Sequence, residues 1–222
     1  MLRLNYPNKI ILLIIGLFFS FDTSAHIIVE ELENMSKSTA ASVYLLAGFE
    51  HILPLGLDHI LFIISLFLLN PQLKPILIQS TVFTVAHSIT LILSSYDFID
   101  PPAIMVEPLI AMSIAYIAIE NMFAKTLRPT RIVVVFLFGL LHGMGFASAL
   151  SELGLPESAY LISLISFNVG VELGQVTIIL LAFFTMTIWV AKKNWYHSTI
   201  VIPISAVIAI IALYWTVERI IA

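Results

Sequence analysis

Six stretches of about 20 mostly apolar residues run through this 222-residue chain, and most of them carry ionisable side chains deep inside. That combination leaves few folds open. A backbone in hydrocarbon has no water to bond, so a run of this length must be a helix. The runs are Val43–Leu69, Pro75–Ser95, Pro102–Ala124, Ile132–Leu150, Tyr160–Ala191 and Ile200–Ile221. The expected fold is therefore all-α: a polytopic membrane bundle of about six helices. Composition agrees, with 60% hydrophobic and 11% charged residues, against about 25% charged in soluble domains. Net charge is −4 with no basic, aromatic-rich patch, which argues against nucleic acid as a partner. Cysteine is absent, so a metal site must be built from His, Asp, Glu, Asn or water.

The N-terminus reads as a secretion signal. Arg3 and Lys9 precede the apolar run Ile10–Phe19, and Thr23-Ser24-Ala25 offers small residues for cleavage. This divides the chain into a signal peptide (1–25), a short external leader (26–42) and a six-helix transmembrane domain (43–222). Cleavage would make His26 the N-terminus, where an amine beside an imidazole can chelate copper or nickel. With His26 outside, the inner loops hold Lys74, Lys125, Arg128, Arg131, Lys192 and Lys193, while the outer segments hold Lys37 and Arg219. That bias predicts both termini outside a bacterial inner membrane.

Ionisable groups in hydrocarbon cost several kcal/mol each and usually face the bundle interior. At about 1.5 Å rise per residue, His59, His87, His142 and Glu172 all fall near mid-depth on four different spans. Asp58 adjoins His59. His51 and Glu107 lie nearer the outside, so a deep site and a shallower one are expected. Pro54 and Gly56 make a break in the first span plausible. Neutral imidazole and carboxylate suit nickel, cobalt, zinc or copper(II). The candidate ligands are His51, Asp58, His59, His87, Glu107, His142 and Glu172.

A blander reading covers other residues. Asn168, Gln175, Thr84 and Ser88 suit hydrogen bonding between helices. Glu120-Asn121 lies near Lys125 and Arg128 and suits pairing with them, and His197 is expected to be solvated. Gly139, Gly143, Gly145, Gly170 and Gly174 are expected to pack the fourth and fifth spans together, bringing His142 towards Glu172.

The stretches His51-Ile-Leu-Pro-Leu-Gly-Leu-Asp58-His59, Phe83-Thr-Val-Ala-His87-Ser-Ile-Thr90, Val106-Glu107 through Ala111-Met-Ser113 to Asn121, Phe138-Gly-Leu-Leu-His142-Gly-Met-Gly-Phe146-Ala and Phe167-Asn168-Val-Gly-Val-Glu172-Leu-Gly-Gln175 resemble the HupE/UreJ family of bacterial membrane proteins, in its second branch. The resemblance implies a permease for nickel or a related transition metal, with metalloenzyme-maturation proteins as partners. The first branch spaces its histidine five residues before Asp-His. Here six residues separate His51 from Asp58, which would rotate His51 by about 100° in a regular helix.

The leading expectation is a secondary metal permease in the lipid bilayer, its ion meeting His51 and Glu107 before the deeper groups. One alternative is an intramembrane metal-dependent hydrolase, with Glu172 as general base, acting on a lipid or membrane peptide. Another is an accessory protein for metalloenzyme maturation.

Overall fold

Among the described residues, seven α-helices follow one another: α1 (Lys37–Ile52), α2 (Leu57–Leu69), α3 (Leu73–Ser95), α4 (Ala103–Phe123), α5 (Thr130–Leu153), α6 (Tyr160–Ala182) and α7 (Ile202–Ile221). They come from a computed structural model that describes residues 35–153, 155–187 and 189–221, with only the backbone of 147–153 and 157. The expected signal peptide, His26 and residues 26–34 of the leader lie outside the described residues. α6 continues through a π-helical turn, Phe183–Thr187, and a second such turn, His197–Val201, leads into α7. No strand occurs among the described residues.

Four of these helices are long and apolar enough to cross a membrane, and α1 with α2 makes a fifth such span if the bent pair counts as one. The described apolar part of α5, Thr130–Phe146, is shorter. α1 begins at Lys37, so residues 37–42, read from the sequence as leader, form its first turns. Ser36 caps it, its hydroxyl accepting from the Thr39 N–H at 3.2 Å.

The first apolar run is broken, with a 66° bend between α1 and α2. Leu53 precedes Pro54, and a residue before proline is pushed out of the helical region. It takes extended backbone, φ −134° and ψ 113°. The chain then turns back tightly at Gly56, where a Cβ would stand 2.2 Å from the His51 carbonyl oxygen. Only glycine fits there, because the obstruction is backbone.

α2 is the buried rod of the bundle. Phe62, Ile63, Leu66, Phe67 and Leu68 are each at most 2% exposed, so it is enclosed on all sides, as an all-round apolar helix must be. Around it, α1 packs on α6, α3 on α5 and α4 on α7. Glycines set the first two contacts, and they join different helices from those expected. A Cβ at Gly48 or Gly170 would strike backbone across the α1–α6 seam, and one at Gly174 would strike Ile52. Gly139 and Gly143 lie against Phe83 and His87 of α3, and Gly145 lies against Ile110 of α4. The predicted glycine seam between the fourth and fifth spans is thus replaced by two seams, which place α5 on α3 and α6 on α1.

Candidate metal centre

His51 closes α1 and His59 opens α2. Eight residues of continuous helix would separate them by about 12 Å along the axis. The break instead folds them together, ring centroids 4.7 Å apart and edge to face. His87, in the middle of α3, completes the group at 6.1 Å from His51 and 6.0 Å from His59. One nitrogen from each of the three rings lies within 4.8 Å of the other two. Ligand nitrogens about 2.0–2.1 Å from a tetrahedral ion stand roughly 3.3 Å apart, so modest side-chain rotation closes the set. His51, expected in a shallower site, therefore belongs to the deep one. The helix break removes the rotation that its extra residue would have caused.

Aromatic rings flank the cluster. The His51 ring is tilted against those of Phe146 and Phe167, centroids 3.8 and 5.7 Å away, and Phe83 lies 5.8 Å from His59. In this setting His51 Nε2, His59 Nε2 and His142 Nδ1 make no hydrogen bond, and neither ring nitrogen of His87 has a partner in hydrogen-bond geometry, although Asn168 lies close enough to interact with that ring. Leaving a buried polar atom unbonded costs about 1–3 kcal/mol, and native structures hold only a few per hundred residues; the described residues hold six others, on Ser65, Gln79, Ser94, Arg131, Ser163 and Ser205. Five such nitrogens at one place fit the chemistry of a cation with imidazole ligands.

His142 stands beside this group, its ring 5.0 Å from that of His59. Its tautomer follows from Ser113. The Ser113 hydroxyl gives its only hydrogen to the Ile110 carbonyl at 2.7 Å, so it accepts at 3.1 Å from His142 Nε2. The lone pair of His142 is thus on Nδ1, the atom without a partner.

A cavity of about 780 Å³ opens onto these rings from the end of the bundle where α2 and α4 begin and α7 finishes. His51, His59 and His142 line it together with Glu50, Asp58, Glu107, Trp215 and Arg219. Glu107 thus flanks the approach rather than joining the ring cluster. Asp58 is occupied by Arg219, a residue whose place near a span end predicts only an external charge. Arg219 grips it with both nitrogens, Nη1–Oδ2 2.9 Å and Nη2–Oδ1 3.1 Å, and donates from Nη1 to the Glu107 carbonyl at 3.2 Å. The available signal was position: Arg219 lies in the last turn of α7, level with the start of α2.

Glu172 is taken up elsewhere. Its two carboxylate oxygens accept from the hydroxyls of Thr81 and Thr84 on α3. Gln175 donates to Thr84 and accepts from Ser80, and Ser88 donates to Asn168. This polar ladder joins α3 to α6, the glue expected of Thr84, Ser88, Asn168 and Gln175. Glu172 is not drawn to His142, because α6 is seated on α1.

At the opposite end a second network is buried. Arg131, 1% exposed, donates to Glu120 at 3.0 Å and to Asn121 Oδ1 at 2.9 Å. Asn121 donates in turn to the Ser65 carbonyl at 2.7 Å. The partner of Glu120 is therefore Arg131, and neither Lys125 nor Arg128 fills that role. His197, expected in solvent, is half-buried, with Nε2 shared between the carbonyls of Asn121 and Ala124 at 3.1 and 3.0 Å. It satisfies carbonyls left open at the end of α4.

Comparison with curated proteins returns no match, and neither does comparison with solved structures. The family model for HupE / UreJ protein matches residues 11–219, from before the described helices to the Asp58-bound Arg219. By that match the chain belongs to the HupE/UreJ family.

Proposed function

We propose that this protein is a permease for a transition-metal cation, of the nickel and cobalt class with zinc and copper(II) as rivals. One observation carries the reading: buried imidazole nitrogens from α1, α2, α3 and α5 converge without hydrogen-bond partners. The family is generally linked to nickel or cobalt uptake or to metalloenzyme maturation, which supports it. His51, His59 and His87 would hold the ion in transit, with His142 beside them as a further nitrogen donor. Glu50 and Glu107 would draw cations into the cavity.

The proposed topology has six spans after a cleaved signal peptide, with α1 and α2 as one broken span and both termini outside the inner membrane. Ion sites at broken helices recur in secondary transporters. The cavity reaches the rings from one end, while the Arg131–Glu120–Asn121 network closes the other. Taken with the proposed topology, this supports an outward-facing carrier.

Sealed vesicles containing the purified protein test this reading. Radiolabelled nickel or cobalt should accumulate with wild type and not with His59→Ala. Failure of wild type to move nickel, cobalt, zinc or copper, with the fold intact, refutes it.

A further inference from the structure

The cavity leading to the histidines has a defined charge. Glu50, Asp58 and Glu107 face Arg219, a net charge of −2, which is the complement of one divalent cation. The single cation of that wall is also the most specifically placed. Arg219 meets Asp58 through a two-pronged fork, and the two side chains are 23% and 22% exposed. A third donation, to the Glu107 carbonyl, anchors Nη1 to α4, and the guanidinium carbon lies 5.6 Å from the centre of the Trp215 ring. Asp58 is the residue before His59, as Glu50 is the residue before His51, so one of the two carboxylates next in sequence to a candidate ligand is already occupied by a positive charge.

We infer that Arg219 is a tethered cation that holds Asp58 until an entering divalent cation replaces it, so that this pair decides which ions the cavity admits. The inference rests on the metal-permease reading and names the residue that would confer its charge selectivity. Two features support exchange over a permanent lock. The pair stands on the cavity wall and is reached by solvent, and pairs open to solvent are held weakly. It also joins α7 to the start of α2 just after the helix break, so its release would be felt where His59 is mounted. A monovalent ion offers Asp58 no more charge than Arg219 already supplies. A divalent ion offers twice as much and also restores the cavity to neutrality.

Nickel binding to the full chain in lipid nanodiscs tests this, with Ni²⁺ titrated in low and in high NaCl. Arg219→Gln frees Asp58 and should tighten Ni²⁺ binding about tenfold, while making it more easily displaced by Na⁺. Asp58→Asn leaves the guanidinium unpaired in the cavity and should weaken binding about tenfold. The double variant returns the net charge to −2 and should bind within about threefold of wild type. Arg219→Lys keeps the charge without the fork and should fall between wild type and Arg219→Gln, which covers the case in which Arg219→Gln does not fold. Binding by Arg219→Gln or Arg219→Lys no tighter than wild type overturns the inference. So does a double variant as weak as Asp58→Asn, the result expected if the pair were only a structural latch or Asp58 only a ligand. Wild type that binds no nickel at all overturns the permease reading as well, a pattern distinct from the other outcomes.

Discussion

Gly48 provides the sharpest test of how the fold holds the histidines. It sits in α1 one turn before His51, and a Cβ built on it would stand 2.0 Å from the carbonyl oxygen of Phe167 on α6. The two further neighbours, Phe167 C at 2.8 Å and Cα at 3.1 Å, are backbone as well. No side chain can rotate to make room. Because ordinary Cβ contacts begin near 3.4 Å, Gly48→Ala must push α1 away from α6 by more than an ångström. Overpacking of this kind costs typically about 1–3 kcal/mol. His51 rides on the displaced helix, and a metal site tolerates ligand errors of only about 0.2 Å. We therefore expect Gly48→Ala to melt several degrees lower and to bind Ni²⁺ at least about tenfold more weakly. Gly145→Ala is the matched control, since its nearest obstacle is Ile110 Cδ1 at 2.4 Å, the free end of a flexible side chain. Its melting and its nickel affinity should stay close to wild type. Thermal melting and nickel titration on both variants decide the matter. Damage in Gly145→Ala equal to that in Gly48→Ala, or a Gly48→Ala that melts and binds like wild type, refutes the reasoning.

Two further outcomes follow from the side-chain geometry. His59→Ala should abolish stoichiometric metal, whereas His142→Ala, whose ring adjoins the three-histidine group without joining it, should retain one ion at reduced affinity; metal analysis of the purified variants distinguishes these. Arg131→Met strands Glu120 beside the bilayer and should cost about 3 kcal/mol, less than a fully buried pair because Glu120 keeps 23% of its exposure. The matching loss in thermal melting is about 6–12 °C, and Arg131→Met with Glu120→Leu should recover most of it, since an apolar pair can replace an ionic one.

Much of this architecture was open to sequence reasoning because depth in a membrane helix follows from counting residues. The levels of His59, His87 and His142 came from that count, and their rings do cluster. Counting gives no azimuth and no helix neighbours. Glu172 has the expected depth, yet it faces Thr81 and Thr84 because Gly170 and Gly174 seat α6 on α1. Those glycines were read as contact residues, which is correct. Their partner helix depends on the whole packing order and leaves no local mark in the chain.

Charges near span ends differ from expectation for a related reason. Arg131, Arg219 and His197 each lie within a few residues of a predicted boundary, where a solvated loop and a buried helix turn have the same local composition. What distinguishes them is an unmet acceptor on another helix: Asn121 Oδ1 and Glu120 for Arg131, Asp58 for Arg219, the last carbonyls of α4 for His197. A boundary cation in a chain with so few charges is thus better matched first against the polar groups at the same depth on other spans. Matching by depth alone would have paired Arg219 with Asp58 and Arg131 with Glu120. Depth alone still leaves His51 in a shallower site, because the helix break at Pro54 and Gly56 brings that ring against His59 at 4.7 Å, where an unbroken helix would hold them about 12 Å apart. The centre therefore depends on Gly56 as directly as on any histidine: a side chain there would meet the His51 carbonyl and force open the turn that joins the two rings.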